Sequence, residues 1–458
     1  MKIITTFIVF LFGSTLSAQT LSEAVVVQSS LEHYPKVIQS LLRFAETEAR
    51  EKEALGAFDG KILAEVDRPT DGYYRGRSYG GQVEKPLYYM NSKIFSGYRI
   101  SKGDFPVYDG KQETLSRGES FLGLSLSLLR SSFIDGYRYK SRMVEQEKRQ
   151  ARLDADQVKM EVQTLALQSY WTWVAKGEEL KVYEELLSLA EKRVQGLNRR
   201  VRSGDLAPIY QAENEQYILK RKVDLKRVEA EFQQAGFYLS LFYRDNRGKT
   251  LPVSRAQLPK ERPALEHLIP SLTEPYEKSV KRSLSLRKME SQLLQAQTTK
   301  EQGTNLLLPK LDLKAEWSRD HGVGPERLAP DEGRVMVNLE IPLEFRKGEG
   351  LRQQGLRQME SLKSQMQLEK EKLKAEVESL LFKIKNNRQI YEFSKDQVNL
   401  ARKLVVAERK KFQRGASDLI LLNLREENLA QTRVKNIEAY LKQQYFLAEI
   451  RQLTLEFL

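Results

Sequence analysis

The chain has 458 residues, 30% of them charged, with a net charge of +13 and no cysteine. Without cysteine, disulfides, thiolate metal sites and a lipid-modified N-terminal cysteine are all excluded. Abundant Leu, Glu, Lys, Arg and Gln with little Pro or Gly points to long helices rather than compact globules or disorder. The positive charge is mixed with Glu along helix faces and forms no basic block with interleaved aromatics, so no nucleic-acid partner is indicated.

Met1-Lys2, the run IITTFIVFLFGS and then TLSA predict a secretory signal peptide over 1–18, with Gln19 as the mature start. No later stretch holds ~18 consecutive apolar residues, so any membrane contact is expected from strands. Residues 21–58 read as a first helical segment, bent or restarted at Pro35. KILAEV (61–66) and KIFSGYRI (93–100) read as strands, and 103–120 as a polar, turn-rich loop. Leu122, Leu124, Leu126 and Leu128 then alternate with Gly123, Ser125 and Ser127, which puts the two sets on opposite faces of a strand. Residues 137–203 carry one helical pattern, mildly broken at Gly177 and roughly 100 Å long. Val182, Leu186 and Leu189 keep a coiled-coil spacing within it. Gly204 turns the chain, Pro208 opens a helix over 208–241, and 244–264 is a Pro- and charge-rich linker.

The second half replays the first. A helix over 266–303 leads to Leu311, Leu313, Ala315 and Trp317, which alternate with polar residues, and 319–333 is a loop. Val335, Val337, Leu339, Ile341 and Leu343 alternate with Met336, Asn338, Glu340 and Glu344. A helix over 350–413 holds Leu373, Val377, Leu380, Ile384, Tyr391, Val398 and Val405 in a seven-residue register. Gly415 turns the chain into a last helix over 417–456. A long-period self-match of this kind governs the reading of the whole fold. It gives one repeat over 19–243 (strands 61–130, hairpin 137–241) and a second over 265–458 (strands 309–344, hairpin 350–456).

The expected fold is therefore mainly α with membrane β-barrel strands, each half running helix, strand, strand, long helix, turn, helix. A half-exposed sheet in a soluble protein shows the same alternation. With a signal peptide and no other core, a barrel is preferred, its apolar face (Leu124, Leu126, Leu128, Val337, Leu339, Ile341) toward lipid. Two strand pairs give four strands per chain. Four cannot close a barrel, and open edges do not persist in lipid, so copies of the chain must share one.

Several motifs resemble those of the TolC-like outer-membrane efflux protein family. NLLLPKLDL (305–313) is similar to its Leu-Pro-x-Leu passage into a strand. FLGLSLSLLRSSFIDGYR (121–138) and VMVNLEIPLEFRKGEG (335–350) resemble its passage from strand to long helix, and FQRGASDLILLNLREENLAQTR (412–433) its glycine turn and following helix. The resemblance implies a homotrimer with a twelve-stranded outer-membrane barrel and a twelve-helix periplasmic tunnel. It also implies a passive exit duct of a tripartite efflux pump or type I secretion system, partnered by a periplasmic adaptor and an inner-membrane pump. The adaptor-docking tip then falls at Ser203, Gly204, Asp205, Leu206, Arg414, Gly415, Ala416 and Ser417. The chain departs from the family pattern where aspartates ring the aperture: Leu421 and Leu424 stand there, which allows an apolar constriction. Phe412 replaces a tyrosine and Ser417 an arginine of the usual latch. The alternative is a periplasmic coiled-coil adaptor or structural protein without a membrane barrel.

Nothing points to an enzyme, a metal site or a cofactor. His33, His267 and His321 are scattered, and the neighbouring carboxylates Glu213 with Glu215 and Glu426 with Glu427 read as solvated helix faces. Trp171 and Trp173 read as packing or equatorial contacts.

Overall fold

The computed structural model describes residues 20–105, 113–263, 265, 273–325, 328 and 331–455. The expected signal peptide over 1–18, part of the 103–120 loop, the residues just after the linker and His267 lie outside the described residues. The chain forms two compact units, each drawn from both halves of the sequence. The first comprises the chain up to Gln39 with Asp156–Ser283 and Lys372–Leu458; the second comprises Ser40–Ala155 and Leu284–Glu371. Among the described residues no helix is long and apolar enough to cross a membrane.

The elements begin with α1 (Glu23–His33) and α2 (Pro35–Leu55). Ser22 caps α1 by accepting from the Val25 amide at 3.4 Å, and Pro35 opens α2, where its missing N–H costs no helical bond. The long α3 (Gly136–Arg202) is unbroken, and α4 (Ile209–Ser240) follows it. The expected helix over 266–303 is interrupted: α5 (Thr273–Arg282) and α6 (Leu284–Leu306) meet at Ser283. The long α7 (Arg346–Gln413) and α8 (Leu419–Leu453) end the chain.

In the first unit an aromatic core gathers Tyr170, Trp171 and Trp173 of α3 with Val26, Leu239 and Tyr440. Three of the polar ring atoms have partners: the Tyr170 hydroxyl donates to the Leu21 carbonyl at 2.9 Å, Trp171 Nε1 to Glu23 at 3.1 Å, and the Tyr440 hydroxyl to the Pro263 carbonyl at 2.9 Å. Burial pushes both tyrosine hydroxyls up to about 12. The tryptophans are packing residues. Gly177 does not weaken α3. Leu258 of the linker lies so close that a Cβ there would sit 2.5 Å from its methyl, so the glycine admits the linker onto the helix. The seam read from the sequence is buried at Val182, Leu186, Leu373, Val377, Leu380, Ile384 and Val405, and half-buried at Leu189, Tyr391 and Val398.

In the second unit the helix backbones approach closely. A Cβ at Gly355 of α7 would come within 2.6 Å of the Lys300 amide of α6, so larger residues are sterically excluded. The unit's sheet has six antiparallel strands in sequence order: β1 (Lys61–Asp67), β2 (Arg77–Pro86), β3 (Lys93–Lys102), β4 (Glu119–Ser127), β5 (Lys310–Asp320) and β6 (Asp331–Glu340). This corrects the count of four: the stretches read at 61–66, 93–100 and 122–128 are all strands, three before α3 where one pair was counted, and β2 adds a fourth there. The strand at Arg77–Pro86 carries Gly80, Gly81 and four charged or amide side chains, which dilute its alternation below recognition. Leu128 and Ile341, expected within strands, lie just past the ends of β4 and β6.

Candidate functional site: a two-faced sheet and two glycine turns

The ladder register gives the sheet one apolar and one polar face across all six strands. On the apolar face Ile62 pairs with Val83 and Val66 with Tyr79; Ile94 pairs with Leu124, and Leu122 with Trp317. Leu126 pairs with Leu313, which pairs with Val337, and Leu311 pairs with Leu339. Ile62, Val83, Leu122, Val335, Val337 and Leu339 are more than half exposed, although they are the residues a soluble sheet would bury. Leu124 and Leu128 are exposed and Leu126 half-buried. Along β2 every odd-numbered residue is exposed and every even-numbered one half-buried, so the polar side is the more covered.

Polar side chains pair with one another on that covered side. Lys93 reaches Glu84 at 2.8 Å, Lys314 reaches Glu316 at 2.7 Å, Ser127 donates to Asp312 at 2.8 Å, and Arg99 pairs with Glu119. Phe95 and Phe121 also lie on this face, a feature the alternation did not reveal. Phe95 is 4% exposed and covers Gly123, Phe121 covers Gly97, and cations sit over both rings, Lys314 at 4.7 Å and Arg99 at 5.9 Å. The stretches beyond the strand ends are tied together: Arg117 donates its amide to the His321 carbonyl at 2.9 Å, and the Leu115 amide donates to Asp320 at 2.8 Å.

In the first unit the two turns at Gly204 and Gly415 have the same geometry. Both glycines adopt positive φ, 77° and 74°. The Gly204 amide donates to Val201 and that of Asp205 to Arg200; the Gly415 amide donates to Phe412 and that of Ala416 to Lys411. These closures satisfy the last carbonyls of α3 and α7, and the left-handed residue between them needs glycine. Arg199, Arg200 and Arg202 complement the C-terminal end of the α3 dipole. Arg200 joins the two turns: it donates to Asp205 at 2.7 Å and to the Phe412 carbonyl at 3.2 Å, and lies 5.6 Å over the Phe412 ring. Ser417 donates to Glu408 at 2.5 Å, and Asp418 caps α8 by accepting from the Leu421 amide at 2.7 Å. Ser203, Gly204, Asp205, Arg414, Gly415 and Ala416 are exposed, and Leu206 and Ser417 partly so. Leu424 is exposed at 59% and Leu421 half-buried, whereas Leu419 and Leu422 fill the core with Leu197 and Phe412.

Above the turns lies a buried charge cluster. The Glu426 side chain is fully buried and meets Arg193 at 2.6 Å, Arg221 at 3.3 Å and Arg409 at 3.4 Å. Asn423 accepts from Arg193 at 2.8 Å and Arg221 at 3.1 Å. Burial pulls the Arg221 guanidinium below its ordinary pKa, and Glu426 opposes that shift. Glu426 is thus not on a solvated face, as its sequence context implied. Glu427, the other member of the pair, is half-buried and meets Lys220 at 2.6 Å.

No family model matches the chain, and no curated protein matches it in sequence. Solved structures match it in fold over nearly its whole length. A membrane protein from Pseudomonas aeruginosa superposes with a TM-score of 0.66 at 13% identity, over 94% of this chain and 93% of that one. The outer membrane protein VceC from Vibrio cholerae gives 0.65 at 12% identity, over 94% and 95%. The open state of the MtrE outer membrane channel from Neisseria gonorrhoeae gives 0.64 at 12% identity, over 96% and 92%. At these identities the likeness is one of architecture, and the chain has the fold of the TolC-like outer-membrane channels.

Proposed function

We propose that this protein is an outer-membrane channel, the passive exit duct of a tripartite efflux pump or type I secretion system. The observation that carries the reading is the sheet. Along β2, β3 and β4 the apolar face is the more exposed one and the polar face the more covered one, its side chains paired, which suits a wall between lipid and a water-filled lumen. A coiled-coil adaptor or structural protein has no use for such a face.

The working form is a homotrimer of two-repeat chains, 19–243 and 265–458 joined by the 244–264 linker, whose long helices line a periplasmic tunnel. Phe382, Phe393 and Leu400 of α7 and Val223 and Phe237 of α4 are 60–72% exposed, apolar surface that neighbouring copies would cover. Energy comes from an inner-membrane pump. The turns around Gly204 and Gly415 receive the hairpins of a periplasmic adaptor, and Leu421 and Leu424 form an apolar constriction in place of an acidic ring.

The absence of native cysteine gives a clean test of orientation. Ser203→Cys and Ser417→Cys are expected to crosslink to an adaptor in intact cells and to resist an impermeant thiol reagent. Ser116→Cys, beyond the strands, is expected to label from outside. Labelling of Ser417→Cys from outside contradicts the reading.

A further inference from the structure

The geometry points to a barrel of eighteen strands, closed where β1 of one copy pairs with β6 of the next, and not to a twelve-stranded one. This rests on the trimeric channel proposed above. A twelve-stranded ring would use only β3 to β6, with the free edge of β3 taken by β6 of a neighbouring copy. That edge is occupied: β2 pairs with β3 along its whole length, from Arg77 opposite Lys102 to Pro86 opposite Lys93. One strand edge holds one ladder, so the β1–β2 hairpin belongs to the wall. It also continues the wall's chemistry, with Ile62, Val66, Tyr79 and Val83 on the apolar face and the Glu84–Lys93 pair on the polar one.

The remaining free edges are those of β1 and β6, and these are the strands exposed almost throughout. In lipid neither can stay open. Every neighbouring pair in the sheet is antiparallel, so β1 and β6 run in opposite directions and β6 of one copy meets β1 of another in an antiparallel ladder. Seating Lys61 opposite Glu340 puts Asp67 opposite Arg334, two opposite-charge pairs on the polar face. The same register puts Ile62, Ala64 and Val66 opposite Leu339, Val337 and Val335 on the apolar face. Followed across the existing ladders, Lys61 is level with Glu84, Phe95, Gly123, Glu316 and Arg334. Glu340 lies six residues beyond Arg334, so this closure staggers each six-stranded sheet by six residues. One residue of ~3.3 Å per ~4.8 Å strand spacing is a tilt of about 35°, which falls in the range of closed barrels.

Paired cysteines separate the two closures. Ile62→Cys with Leu339→Cys reports β1 against β6, and Ile94→Cys with Leu339→Cys reports the twelve-stranded alternative, β3 against β6. Within one chain β1 and β6 are five strand spacings apart, about 24 Å, so a disulfide joins two copies. Oxidation of the full-length protein in outer membranes is expected to convert the first pair to disulfide-linked dimers and trimers and to leave the second unlinked. Crosslinking of the second pair, or of neither in a protein that still extracts as a trimer, overturns the eighteen-stranded barrel and leaves the channel reading standing. A protein that extracts as a monomer overturns both.

Discussion

Val337→Arg is expected to stop the protein from accumulating in the outer membrane, whereas arginine at the adjacent Asn338 is expected to be tolerated. Val337 is 62% exposed, lies near the middle of β6 and pairs with Leu313 on the apolar face. A guanidinium held against lipid there costs roughly 2–4 kcal/mol near the bilayer midplane, and the cost recurs in every copy of the assembly. Leu339 is one residue from the end of β6, so Leu339→Arg should have a smaller effect in the same direction. Asn338 faces the other way, opposite Asp312, which gives an introduced arginine a carboxylate and a polar setting. Outer-membrane fractionation with immunoblotting measures all three. Equal tolerance at Val337 and Asn338 contradicts the assignment of faces.

Glu426→Ala is expected to be the most destabilising single truncation in the helical unit. Among the described residues its carboxylate is the one that pairs with Arg193, Arg221 and Arg409, and the Arg193 and Arg221 side chains are only 11% and 4% exposed. Removing it leaves two guanidinium groups out of water without a counter-charge, a loss of about 3–5 kcal/mol. Glu427→Ala removes a neighbouring carboxylate whose Lys220 partner is 51% exposed, and a pair in that position contributes less than about 1 kcal/mol. Thermal unfolding of the detergent-solubilised protein should separate the two variants clearly. Similar midpoints for both mean that the buried cluster does not hold the helices together.

What the sequence revealed and what it hid follow from the range of the interactions. Gly204 and Gly415 stood out because a helix reversal needs a left-handed residue locally, and the seam from Leu373 to Val405 because its period repeats along one helix. Leu122 to Leu126 and Val335 to Leu339 showed their faces through simple alternation. The strand β2 was missed because Gly81 occupies an apolar-face position and only Tyr79 and Val83 mark the period. Glu426 looked like a surface residue because its partners Arg193 and Arg221 lie more than 200 positions away along the chain. Gly177 looked like a helix break because its neighbour, Leu258, belongs to another segment. For Glu426 and Gly177 the deciding contact was made by a residue from a distant part of the sequence, whereas β2 was hidden by its own composition.

The most direct test of the channel reading is the mass of the full-length protein extracted from outer membranes in mild detergent, measured by light scattering with the detergent contribution removed. The account predicts recovery from the outer-membrane fraction as an assembly of three chains of 53.0 kDa each, less the expected signal peptides. A monodisperse single chain, or a protein found only in the soluble periplasmic fraction, would contradict it.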